Sequence, residues 1–257
     1  NNGEAEGRQA IANFNVASYR ARYADLRSAF GNNLKAYYDH YRINGYAEGR
    51  VATGSTELQN PTTVYNGVDY KLVYDYNYYI NKYPDIKAAF NGDENATLRH
   101  FVECGMNEGR KGKASFNVAA YRANYADLRS AFGRNLKAYY MHYIGSGYRE
   151  GRKATGNGVL KNPVTVYNGV DYSLVYDYNY YISKYSDLKA AFYGDDTAAL
   201  RHFVECGMNE GRQAKDSFNV KKYKNRYNDL QNAFGNDLKS YYMHYIGSGY
   251  KEGRKGN

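Results

Sequence analysis

Long apolar runs are missing: no window approaches the ~18 apolar residues that a membrane-spanning helix needs, and no charged-then-apolar segment of the signal-peptide kind opens the chain. Tryptophan is absent, proline occurs 3 times and cysteine 2 times in 257 residues, a composition that suits neither one large domain nor two small ones. The 43% of hydrophobic residues is reached only by counting 33 tyrosines, so any core is built largely from phenol rings that want a polar partner at one end. That argues against one deep core and for many small, thin ones. Negative charge is also in deficit: 35 Lys and Arg against 26 Asp and Glu leave +9, which favours acidic partners such as anionic envelope polymers, acidic glycans or nucleic acid.

What is present is a repeat, and its period decides the architecture. Phe14-Asn15-Val16 returns as Phe116-Asn117-Val118 and Phe218-Asn219-Val220, each 102 residues on. A second, diverged repeat aligns with the first without a gap over 37 residues, giving 14–50 (A1), 74–110 (B1), 116–152 (A2), 176–212 (B2) and 218–254 (A3). Spacers of 23 residues, 51–73 and 153–175, follow A1 and A2, and spacers of 5, 111–115 and 213–217, follow the B repeats. Residues 1–13 read as the tail of a preceding B repeat plus its short spacer, because Asn2-Gly3-Glu4-Ala5-Glu6-Gly7-Arg8 resembles Asn44-Gly45-Tyr46-Ala47-Glu48-Gly49-Arg50. Residues 255–257 read as the start of the next spacer, so the chain is expected to be a window on a longer array.

About ten positions are common to A and B. Each repeat has a Tyr (19, 79, 121, 181, 223), a second Tyr four later, then Asp25, Asp85, Asp127, Asp187 or Asp229, then Ala-Phe. It closes with His40, His100, His142, His202 or His244, a Gly, and a terminal Glu-Gly-Arg. Asn15, Asp75, Asn117, Asp177 and Asn219 read as N-caps of a short first helix carrying the Tyr pair at i, i+4. The repeated Asp would cap a second helix, Leu26 to Phe30 in A1, and Leu34, Tyr37, Tyr38 and Tyr41 mark a third, stopped by Gly45. In the long spacers, Thr63 to Tyr70 and Thr165 to Tyr172 alternate β-formers around Asn-Gly, the strongest short hairpin signal. The expected fold is mainly α with small β-hairpins: a tandem array of three-short-helix units, elongated or superhelical, in which packing holds helices too short to be stable alone.

The pattern Tyr-x-x-x-Tyr-x-Asp-Leu-x-x-Ala-Phe, then His-Phe/Tyr, then Gly-x-x-Glu-Gly-Arg, with Tyr-Asn-Gly-Val-Asp-Tyr spacers, resembles tandem repeats in large secreted proteins of gut Clostridia such as Lachnospiraceae. Shorter repeats with Asn-Pro-Asp in place of Tyr-x-Asp look similar in proteobacterial surface proteins. The resemblance implies a non-catalytic region accompanying wall hydrolases, glycosidases or adhesin-like segments, and it carries over no functional residue.

The five histidines fall one per repeat with no paired carboxylate, and His100 with Cys104, or His202 with Cys206, supplies two ligands where a structural zinc wants four. They are expected to be buried, hydrogen-bonded packing residues, with no metal and no cofactor. Cys104 and Cys206 occupy one repeat position and are expected to be buried, reduced core thiols. The acidic loops Asn91-Gly92-Asp93-Glu94-Asn95 and Gly194-Asp195-Asp196 lack the oxygen pattern of a calcium loop and read as capping turns. The terminal Glu-Gly-Arg reads as a local ion pair or cap with Gly at positive φ.

Tyrosine carries the functional expectation. Tyr37, Tyr38, Tyr41 and Tyr46 cannot all face inward from one short helix, so Tyr37, Tyr38, Tyr139, Tyr140, Tyr241 and Tyr242 are expected to form binding faces for sugar rings or a protein. Nucleic acid is disfavoured, since its best patch, Lys221 to Arg226, is confined to A3. The expected function is a non-catalytic, secreted or cell-surface module that binds cell-envelope or mucosal glycan by avidity, without membrane insertion. The alternative is a structural stalk or surface filament in which identical chains associate. No nucleophile, base and orienter converge, so an enzyme is not expected.

Overall fold

The computed structural model describes residues 2–7, 11–90 and 92–257; Arg8 of the tail pattern and Asn91 of the first acidic loop lie outside the described residues. The chain divides into two compact bodies, Asn1–Val118 with Leu136–Arg152, and Ala119–Asn135 with Lys153–Asn257. A1 and B1 fall whole within the first body and B2 and A3 whole within the second, while A2 is divided between them.

Within every repeat the helices fall at the same positions. A1 has Val16–Arg22, Ala24–Phe30 and Leu34–His40, and B1 has Tyr76–Lys82, Pro84–Phe90 and Glu94–His100, each of 7 residues. The first helix is capped as the sequence predicts: Asn15 Oδ1 accepts from Ser18 N at 3.0 Å, and Asp75 and Asp177 do the same for Tyr78 and Tyr180. The acidic loops are capping turns, with Asp93 and Asp195 accepting from Ala96 N and Ala198 N at 2.9 and 3.0 Å.

One expectation about these helices is corrected. Asp25 does not cap the second helix; Tyr23, in extended conformation, holds that place, and Asp25 sits in the first turn, where its carboxylate pairs with Arg50. The third helix runs on as a π-helical segment, Tyr41–Gly45, and the helical run ends at Gly45 as expected. The glycine is there for close approach: a Cβ on Gly45 would overlap the Tyr19 hydroxyl, and the same holds for Gly105 with Tyr79 and Gly207 with Tyr181. Gly49, at φ 69°, makes the turn that follows.

These contacts explain the shared positions as a closure device. The first Tyr hydroxyl meets the histidine Nδ1 at 2.9 Å in A1 (Tyr19, His40), 3.2 Å in B1 (Tyr79, His100) and B2 (Tyr181, His202), and 3.0 Å in A3 (Tyr223, His244). The second Tyr hydroxyl accepts the backbone N–H that follows the terminal Arg, as Tyr23 does from Val51 at 2.8 Å and Tyr227 from Lys255 at 2.7 Å. That Arg lies over the same ring, Arg50 at 4.8 Å from the Tyr23 centroid, and pairs with Asp25 and Glu48; Arg110, Arg212 and Arg254 repeat the arrangement. A backbone bond from the capping residue to the exiting chain, Asn15 N to Ala52 O at 2.7 Å and Asn219 N to Gly256 O at 2.8 Å, completes the loop.

The long spacers carry the predicted hairpins, Val64–Tyr65 with Val68–Asp69 and Val166–Tyr167 with Val170–Asp171. Asn66 and Gly67 at φ 47° and 77° give the left-handed pair of a type I′ turn, as do Asn168 and Gly169. Each hairpin leans on the B repeat after it: Tyr65 donates to Glu103 and Tyr167 to Glu205, at 2.5 and 2.6 Å.

The core is tyrosine, and most buried hydroxyls are answered. Two are not: Tyr74 and Tyr176, the first residues of the B repeats, are buried with no hydrogen-bond partner among the described residues, and burial pushes both phenols well above their usual range. The A repeats carry Phe14, Phe116 and Phe218 at this place. The cysteine expectation is overturned. Cys104 and Cys206 are free but exposed, because the π-helical segment adds a residue to the turn and aims this position outward.

Two outcomes follow from this packing. Tyr74→Phe and Tyr176→Phe each raise stability by ~1 kcal/mol in urea unfolding, since each removes an unanswered buried hydroxyl; a comparable loss instead would mean that the hydroxyls are bonded. Both thiols react with a thiol reagent in the native chain as fast as in denaturant, and slow native labelling would contradict their exposure.

Candidate functional site

Successive residues of a helix point ~100° apart, so the Tyr pair in the third helix of an A repeat looks in two directions. Tyr37 and Tyr241 turn into their own repeat, donating to Gly31 O and Gly235 O at 2.8 and 2.9 Å, and Tyr139 is buried likewise. Tyr140 and Tyr242 turn into the preceding B repeat. Tyr140 donates to Arg110 O at 2.8 Å and stands edge-on to Phe101 at 5.9 Å, and Tyr242 donates to Arg212 O at 2.9 Å and meets Phe203 at 5.6 Å. Both are 0% exposed, and desolvation pushes both phenols well above their usual range. Tyr38 is half-buried, 4.8 Å from Phe14. The expectation that these six tyrosines form binding faces is therefore corrected: five are core, and the second of each pair in A2 and A3 is a lock between repeats.

The opposite seam, from an A repeat to the B repeat after it, is made by a buried arginine that sequence reasoning did not single out. Arg27 donates through Nε to Glu94 Oε1 at 2.7 Å, through Nη1 to Arg20 O and Ala21 O at 3.0 and 2.8 Å, and through Nη2 to Gln59 O and Asn60 O at 2.7 and 3.3 Å. Arg129 repeats this with both oxygens of Asp196 at 3.2 and 3.3 Å and with the carbonyls of Arg122, Ala123, Lys161 and Asn162. The carboxylates are used from the other side, since Thr62 N donates to Glu94 and Val164 N to Asp196. One guanidinium thus ties the first two helices of the A repeat, the long spacer and the third helix of the B repeat. Burying the pair is tolerable only because its polar atoms are answered in this way. The available signal was the recurrence, at one spacing of 67 residues, of Arg27 with Glu94 and Arg129 with Asp196.

The histidines are half-buried, and those of A1, B1, B2 and A3 meet the first Tyr of their repeat. Among the described residues no group of three His, Cys, Asp or Glu is placed to hold a metal. Tyr46, Tyr148 and Tyr250, at one repeat position, are 72%, 57% and 57% exposed, each edge-on to a tyrosine five residues before it at 6.2, 5.9 and 6.0 Å. The B repeats carry Met106 and Met208 there, both fully buried. In A1, Tyr46 borders an apolar recess of about 350 Å³ shared with Phe14, Tyr38 and Tyr41.

Comparison with protein-family models, with curated proteins and with solved structures gives no match.

The geometry ranks two tyrosines of one repeat differently. Tyr242→Ala costs ~3–5 kcal/mol of stability and Tyr242→Phe ~1 kcal/mol, while Tyr250→Ala stays within ~0.5 kcal/mol. Equal costs for the two alanine variants in urea unfolding would contradict the lock.

Proposed function

We propose that the chain is a non-catalytic scaffold, a stretch of extracellular repeat array whose aromatic residues join successive repeats. The observation that carries this reading is the position of Tyr140 and Tyr242: each gives its ring and its hydroxyl to the B repeat before it rather than to solvent. A ligand-facing platform has the reverse disposition. The Arg27 and Arg129 seams support the same reading, because buried charge and backbone carbonyls are committed to holding neighbours. In an array of this kind stability is the sum of each repeat and its joints, so damage to a joint reaches both neighbours.

Hydrogen exchange on the full chain tests this. Tyr242→Ala lowers amide protection in A3 and also in the B2 segment Phe203–Gly207; loss confined to A3 would mean that the repeats are independent modules.

A second reading rests on Tyr46, Tyr148 and Tyr250. Three exposed rings at one repeat position offer a glycan or anionic envelope polymer a set of weak contacts in register, with affinity gained by avidity. Its test is a glycan array and an envelope-polysaccharide pull-down with the Tyr46→Ala, Tyr148→Ala, Tyr250→Ala chain. Binding that withstands about 0.5 M salt and disappears in this variant supports it, since exposed charge is screened within ~8 Å already at physiological salt; absence of binding by the unmodified chain leaves the scaffold reading alone.

A further inference from the structure

The three A repeats do not offer the same face to what comes after them. In A1 that face is floored by Ser18 and Ala21, both buried: Ser18 donates to Gly54 O at 2.8 Å, and Ala21 O accepts from Gln59 N at 2.8 Å. In A2 the floor is Ala120 and Ala123, with Ala123 O accepting from Lys161 N at 2.9 Å and Leu160 buried in the same cluster. Small side chains are what the joint requires, because the spacer backbone lies directly on the helix. Arg27 and Arg129 then clamp the carboxylate of the B repeat.

A3 replaces each part. Lys222 stands for Ser18 and Ala120, Asn225 for Ala21 and Ala123, and Gln231 for Arg27 and Arg129. The Gln231 amide bonds inside A3, to Lys224 O at 2.9 Å and Asn228 Oδ1 at 3.3 Å. Lys224 stands where Arg20 bonds both to Asn32 of its own repeat and to Gly92 O of B1, and it keeps the matching bond to Asn236, at 2.8 Å. Seating a spacer and a B repeat here would seal the Lys222 ammonium under backbone without a carboxylate. It would also bury the Asn225 amide on an apolar floor and leave the incoming Glu or Asp facing a neutral side chain.

We propose that A3 is a capping repeat: its outward face refuses a spacer-and-B element, so the alternating stack stops at A3 whatever chain follows it. Arrays of stacked repeats need such a face where stacking ends, polar and unlike that of the internal repeats. Lys222 and Lys224 thereby gain a role that requires no nucleic acid. The inference rests on side-chain type at matched positions and on the scaffold reading of the seams.

The test moves the face in both directions. First, A3's residues are placed in A2 of the full chain (Ala120→Lys, Ala123→Asn, Arg129→Gln), and exchange is followed in the B2 helices Tyr178–Lys184 and Asp196–His202. Exchange there rises by about tenfold or more, with B1 unchanged; retained protection of B2 overturns the proposal. Second, a copy of residues 153–217 is added after Arg254, with A3 either unmodified or carrying Lys222→Ala, Asn225→Ala and Gln231→Arg. The added B repeat is protected only on the modified face, and equal protection on the two faces, high or low, overturns the proposal. The resident B2 of the same molecules reports separately on the scaffold reading, which fails if B2 is unprotected in the unmodified chain.

Discussion

The joints between repeats rest on one constraint: a polar group taken out of water costs free energy unless it meets a partner, and here that partner lies on the neighbouring element. Of the buried phenols, only the Tyr74 and Tyr176 hydroxyls stand outside this rule among the described residues. A phenol buries a large apolar ring together with a hydroxyl, and leaving the hydroxyl unanswered forfeits much of what the ring contributes. The chain therefore places acceptors where rings end: a histidine nitrogen for the first Tyr, the carbonyls of Gly31 and Gly235 for the inward Tyr, and the carbonyls of Arg110 and Arg212 for the outward one. The expectation of many separate thin cores is corrected by this: in the second body the buried side chains form one continuous cluster that runs from the long spacer through B2 into A3.

The same constraint explains why the repeats alternate. The B-to-A joint is aromatic, a Phe edge with a tyrosine hydroxyl on a carbonyl, and it needs only backbone as acceptor. The A-to-B joint passes over a long spacer, and one guanidinium with five N–H groups collects two spacer carbonyls, two carbonyls of the first helix and a carboxylate. A lysine at this place has too few donors in the wrong geometry. Two joints with different chemistry cannot be exchanged, so a B repeat has a defined neighbour on each side.

Much of the fold was legible in the sequence. The repeat ruler, the three short helices, the Asn and Asp caps, the Asn-Gly hairpins and the Glu-Gly-Arg ion pair all follow from local chemistry, and local chemistry is what a single sequence displays. The tyrosine burial was not legible, because Tyr241 and Tyr242 look alike in sequence while one points into its own repeat and the other into a neighbour. The cysteine error has the same root. An ideal helical phase puts Cys104 on the inner face with His100, but the π-helical segment changes the phase, and the polar Asn44, Ser146 and Ser248 at the matched A position were the available warning. Gly45 does end the helical run, but that it also makes room for the Tyr19 hydroxyl was not legible. The arginine clamp stayed hidden because its partners come from three separate stretches of chain.

The most direct measurement is a double-mutant cycle on the buried pair Arg129 and Asp196, using Arg129→Met, Asp196→Ala and the double variant in urea unfolding of the full chain. Each single variant leaves a buried charge unanswered and the double variant removes both, so the cycle returns a favourable coupling of ~2–3 kcal/mol, with Asp196→Ala adding little once Arg129 is gone. A coupling below ~0.5 kcal/mol would show that the joint does not depend on this pair and would contradict the account.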